Sequence, residues 1–223
     1  MDYSELYKKL SDGIQQESET ETNSVWDSSV AKADLYFENR DYRKAFACLE
    51  KLYFDFRDEP ISKEMCFVKL LFDLGVLDEL LGDRMHAWGY FGSAVHGLEK
   101  LIGFYHLETA KAYEFEADYL ENNMPWTAMG AELVAESDIL KLYLKVLDIK
   151  LHFLGENHID TASIYYKIGN CRFYNEEYER CFEDMEKAYK IYSDILGNDA
   201  PETVEIANRI QSCKRFVETK SWK

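Results

Sequence analysis

The stretch "LGENHIDTA", Leu154 to Ala162, decides the fold, because the chain says nearly the same thing twice more. Fifty-two residues earlier stands "IGFYHLETA" (102–110), and 42 residues later a fainter "LGNDAPETV" (196–204). Each copy reads as a helix end closed by glycine, followed by the start of a new helix. Punctuation that recurs at periods of about 20 to 50 residues marks a solenoid, an array or a propeller.

The copies extend into the helices themselves. Tyr165, Ile168, Gly169, Tyr178, Cys181, Met185 and Ala188 fall at helical spacings on two successive segments. Ninety-four positions earlier the same slots hold Leu71, Leu74, Gly75, Arg84, Ala87, Phe91 and Ala94. Another 42 positions earlier they hold Ser29, Lys32, Ala33, Tyr42, Ala45, Leu49 and Leu52. Small residues (Ala45, Ala87, Cys181) recur where two helices must approach closely, and large apolar ones follow a turn later. The interval is 42 throughout once about ten extra residues in the third unit are set aside.

This pattern resembles the tetratricopeptide repeat. The fit is clearest in "ADLYFENRDYRKAFACL" (33–49), in Leu74-Gly75 with Gly82, Ala87, Phe91 and Ala94, and in "YYKIGNCRFYNEEYERCFEDMEKAYKIY" (165–192). The period and the LGxxHxxTA linkers are similar to the repeats of kinesin light chains and their bacterial relatives. The resemblance covers about residues 25–218. It implies an all-α, right-handed α-solenoid of helix-turn-helix repeats with a C-terminal capping helix. For function it implies a protein–protein interaction module, as adaptor, regulator or chaperone. Lys32, Arg84 and Arg172 depart from the pattern, standing where apolar or aromatic residues are usual.

The organisation follows from the period. Residues 1–24 read as an acidic, mobile leader. The array spans 25–218, with helical pairs at about 26–58, 61–103, 107–154 (interrupted at 121–137) and 159–196, and a cap at 201–218. Pro60 and Pro201 open units and Pro125 breaks the third, so no proline falls inside a helix, where it costs about 3 kcal/mol. One helical pair cannot bury its apolar face alone. Stacking builds the core, and a last helix covers the exposed end.

Composition narrows the function. Of 223 residues, 47% are hydrophobic and 15% aromatic, enough for a core, while only 3 Pro and 11 Gly interrupt it. A formal charge of −16 repels polyanions, which argues against nucleic acid and anionic membrane as main partners. The opening "MDYSELYKKL" has neither a basic entry nor an apolar core and does not read as a secretory signal. No run approaches the roughly 18 apolar residues of a membrane span. The 5 cysteines are odd in number and form no CxxC pair, so they read as reduced, buried thiols in a cytoplasmic protein.

Candidate chemistry is sparse. His106 and His158 occupy the same place in two linkers, each followed by Thr-Ala (Thr109, Thr161), so they serve the repeat by fixing helix entry. His86, His96 and His152 make no i, i+4 pair, and no HExxH or CxxC gives zinc its ligands. Neither GxGxxG, nor GxxxxGK[ST], nor GxSxG occurs. No catalytic residue, metal or cofactor is expected.

The resemblance implies that the first helix of each pair lines a concave channel. That selects Asp34, Phe37 and Glu38 in the first unit, and Lys69, Phe72, Val76 and Glu79 in the second. The third offers Lys111, Glu114, Asp118 and Glu121. The fourth offers Tyr166, Asn170, Phe173 and Tyr174, and the cap Asn208 and Arg215. Aromatics supply contact area and carboxylates select basic groups, while Asn170 and Asn208 can grip a peptide backbone. The expected partner is therefore a protein or peptide carrying basic and aromatic groups. Trp126, in the insertion "ENNMPWTAMGAELVAES", reads either as a second contact or as filler for an irregular unit. A peptide-sensing regulator and a secretion-type chaperone stay open beside the adaptor.

Overall fold

The computed structural model describes residues 24–59, 65–123 and 136–220, and every regular element in them is an α-helix. The expectations placed on the leader before Ser24 and on Trp126 lie outside the described residues. The helices are α1 (Ser24–Glu38), α2 (Tyr42–Phe56), α3 (Met65–Leu81), α4 (Arg84–Ile102) and α5 (Leu107–Asn123). They continue with α6 (Glu136–Leu154), α7 (Ile159–Tyr174), α8 (Tyr178–Leu196) and α9 (Pro201–Lys220). The fold is an all-α repeat, and the chain divides into two compact units, Met1–Tyr119 and Leu120–Lys223.

The turns inside the pairs share one geometry. Arg40 (φ 59°), Gly82 (φ 88°) and Glu176 (φ 61°) take the left-handed conformation at the same repeat slot. The following residue opens the next helix. Asp41 accepts a hydrogen bond from the Lys44 N–H, and Asp83 does the same for His86. Each offers a side-chain oxygen to a backbone donor that the helix start leaves unpaired. Glu177 holds the corresponding place before α8 without a side-chain cap.

In the first unit the core is built around aromatic rings. Trp26 packs edge-on against Phe56 at 5.6 Å and meets Phe67 at 6.4 Å. Phe91 packs edge-on against Phe115 at 4.7 Å and Tyr119 at 5.0 Å. Gly75 lets this happen: a Cβ there would stand 2.5 Å from the Phe91 ring. The small Ala45 and Ala87 are fully buried at the helix contacts that their repeat slot requires.

In the second unit Ala162, Tyr165, Cys181, Met185, Ala188, Ile191, Ile206 and Cys213 form one apolar cluster that joins α7, α8 and α9. Arg172, the departure from the apolar pattern, reaches across to the buried Asp184 and pairs with it. Burial pushes the Asp184 carboxyl upward, and the Arg172 guanidinium works against that. Of the five cysteines, all thiols, only Cys171, Cys181 and Cys213 are buried; Cys48 and Cys66 are half-buried. Among the described residues no helix is long and apolar enough to cross a membrane.

Candidate functional site

The linker histidines are held as structural parts. His158 Nδ1 accepts the Asp160 N–H at 3.1 Å, and His106 Nδ1 accepts the Glu108 N–H at 3.1 Å. One turn on, the Thr161 hydroxyl donates to the Gly155 carbonyl at 2.9 Å and Thr109 to that of Gly103 at 2.8 Å. Each linker thus satisfies a helix-end carbonyl and a helix-start amide with its own side chains. The third copy has Ala200 in the histidine slot, and the buried Thr203 hydroxyl has no partner.

On the first helices of the first unit, α3 leaves only a narrow stripe accessible. Most of its residues, from Phe67 to Asp78, are buried. Along its middle Lys69, Asp73, Val76 and Glu79 are half-buried. Beside them α1 presents Asp34 and Phe37, the latter 42% exposed. A cleft of about 150 Å³ lies between, lined by Ala33, Asp34, Phe37, Ala45, Leu49, Asp73, Val76 and Leu77. Asp73, which lines it, pairs with Lys69 Nζ at 2.9 Å. Burial disfavours charge on both partners, raising Asp73 and lowering Lys69, and the nearby Asp34 carboxylate opposes the fall at Lys69.

Two residues expected to line a channel do not. Phe72 is 1% exposed, its ring 6.1 Å from Phe91 and 5.9 Å from Phe115. Asp118 is buried on α5. Phe72 stands one position off the half-buried Asp73 and turns into the core, whereas Asp118 lies in a run, Ala117 to Leu120, that is buried throughout. Glu79 is engaged within the unit, accepting the Tyr119 hydroxyl at 2.5 Å and lying 3.6 Å from Arg84. Glu114 is half-buried and Glu38 exposed.

The second unit gathers its expected residues around one that the sequence reading passed over. Arg209 on α9 donates through Nε to the Asn170 side-chain oxygen at 3.0 Å. Its guanidinium lies 5.3 Å from the centre of Phe173 and 5.9 Å from that of Tyr174, and reaches the Tyr174 hydroxyl at 3.4 Å. The Tyr166 hydroxyl donates to Glu205 at 2.9 Å. Tyr174 remains 58% exposed. Asn208 is exposed on α9, and Glu121 accepts the Tyr143 hydroxyl at 2.9 Å. Asn170 therefore spends its acceptor on Arg209. The signal for Arg209 was available: it stands four residues after Glu205 and beside Asn208, on the helix that covers α7.

Comparisons agree on the fold. No protein-family profile and no curated protein sequence match the chain. Among solved structures it is similar to a putative kinesin light chain of Podosopora anserina with nearly identical TPR-like repeats, at 15% identity and TM-score 0.59, covering 89% of this chain and 94% of that one. It is similar to BtubC (BKLC) from P. vanneervenii, at 13% identity and TM-score 0.55, covering 98% and 93%. The apo form of RapI matches at 15% identity and TM-score 0.57, over 87% of this chain and 64% of RapI. At these identities the likeness establishes the tetratricopeptide-like solenoid fold.

Proposed function

We propose that this solenoid is a protein-interaction module, an adaptor or scaffold that holds a peptide segment of its partner on the face made by α1 and α3. The observation that carries this reading is the cleft between α1 and α3, which the half-exposed Phe37 lines together with Asp34 and the apolar Val76. Such a site offers an aromatic platform for an apolar anchor and a charge for a basic neighbour. In the second unit the exposed Tyr174, stiffened by Arg209, supports the same reading for α7. A chain charge of −16 steers basic segments toward it. Five cysteines held as thiols fit a reducing, cytoplasmic setting. The reading calls for no cofactor and no catalytic step.

A displayed library of random peptides, selected against the whole chain, tests this. Selected peptides should be enriched in basic and aromatic residues. Phe37→Ser and Asp34→Lys should each weaken the best peptide by about tenfold, that is about 1.4 kcal/mol. Peptides that bind both variants as well as wild type would remove the site from this cleft.

A further inference from the structure

The second helices of the first unit carry a pocket that the reading above does not use. It opens between α2 and α4, measures about 580 Å³, and is walled by Phe46, Tyr53 and Tyr90. Tyr90 stands edge-on to Tyr53 at 5.9 Å and to Phe46 at 6.4 Å. Glu50, Asp83 and His86 line its rim, with His86 Nδ1 held 3.1 Å from Asp83. At its base lies Asp78, a residue of α3 that is 5% exposed and whose Oδ2 accepts no hydrogen bond. A carboxylate taken out of water without a donor is destabilising, and it persists in folded proteins where something offsets it.

We propose that this pocket binds an alkylguanidinium or alkylammonium head group, the cation docking on Asp78 Oδ2 between the aromatic walls. Asp78, Glu50 and Asp83 supply negative charge, and the rings of Phe46, Tyr53 and Tyr90 supply surfaces on which a weakly hydrated organic cation is stabilised. A guanidinium brings N–H donors to the oxygen that lacks one. Among the described residues no group of three or more His, Cys, Asp or Glu is placed to hold a metal ion, and the aromatic walls match an organic cation instead. The site is independent of the cleft between α1 and α3, so either can fail without the other.

Two probes separate the sources of such a head group: free agmatine, and the capped peptide Gly-Gly-Arg-Gly-Gly. The ¹⁵N-labelled full chain is titrated with each at physiological salt and neutral pH, following the amides of residues 78–90. Saturable shifts with at least one probe are expected, and the stronger probe identifies the source as a free cation or a side chain. Asp78→Asn should weaken binding about tenfold or more, and Glu50→Gln, at the rim, severalfold. The Glu50 variant leaves the buried base untouched and serves if the other misfolds. Acidification from about pH 7 to about pH 5 should weaken wild-type binding, because a proton on Asp78 competes with the cation; Glu50, Asp83, His86, Tyr53 and Tyr90 face the same space. No saturable shift with either probe, or wild-type affinity in both the Asp78 and the Glu50 variant, overturns the assignment.

Discussion

The Thr161 hydroxyl donates a 2.9 Å hydrogen bond to the carbonyl of Gly155, and Thr109 repeats it toward Gly103 at 2.8 Å. The Thr203 hydroxyl, equally buried in the third linker, has no partner. Replacement by the isosteric valine therefore separates the three. Thr161→Val and Thr109→Val should each lower stability by about 1 kcal/mol, since a part-buried hydrogen bond to a helix-end carbonyl is lost. Thr203→Val should leave the urea midpoint unchanged or raise it. Equal losses at all three positions would mean that the hydroxyls are not what the linker needs.

The pair turns give a gain. Arg40 and Glu176 hold φ near 60°, at the slot where the second pair has Gly82. A non-glycine residue there is disfavoured by roughly 1–2 kcal/mol, part of which glycine gives back as unfolded-state entropy. Glu176→Gly should raise stability by about 0.5–1 kcal/mol, and Gly82→Ala should lower it by a similar amount. Calorimetry of the two variants checks both signs.

Gly75 and Gly169 occupy one repeat slot but differ in what they face. A methyl at Gly75 would meet the Phe91 ring at 2.5 Å, whereas at Gly169 it would meet the Met185 side chain at 3.0 Å. Phe91 is fixed by Phe72, Phe115 and Tyr119; methionine is unbranched and adapts. Gly75→Ala should cost about 1–3 kcal/mol by overpacking. Gly169→Ala should be milder, because the helix propensity of alanine offsets the strain. Chemical denaturation that ranks them the other way would contradict the packing described.

Asp78 makes stability depend on pH. Burial, with Asp83 adding to it, raises its carboxyl to about 6 from an ordinary 3.8. Between those values the folded chain holds the proton more tightly than the unfolded chain. The site therefore contributes stability at low pH that is lost as pH rises through about 6. Asp78→Asn should accordingly be more stable, relative to wild type, at about pH 7.5 than at about pH 5. A stability difference that does not change with pH would place Asp78 in water.

The fold was legible because the repeat writes its geometry in small residues and caps. Ala45, Ala87 and Cys181 mark close helix contacts, and the paired His and Thr mark linkers, all short-range requirements that a single sequence displays. The site was less legible, because which residues face solvent depends on a rotation of one position about each helix. Phe72 lies one step off the open stripe that holds Asp73 and turns inward, and Asp118 sits in the buried run from Ala117 to Leu120. Arg209 and Asp184 find Asn170 and Arg172 across helix contacts that periodicity alone does not register. Asp78 is recognisable only once its burial is known.

The central claim is that the first helices take the partner's peptide. Its most direct measurement is the footprint of a library-selected peptide on the ¹⁵N-labelled chain. The account predicts that the largest shifts gather on α1 and α3 around Asp34, Phe37 and Val76, and that they vanish with Phe37→Ser. A footprint confined to α2 and α4, with the first helices silent, would contradict it.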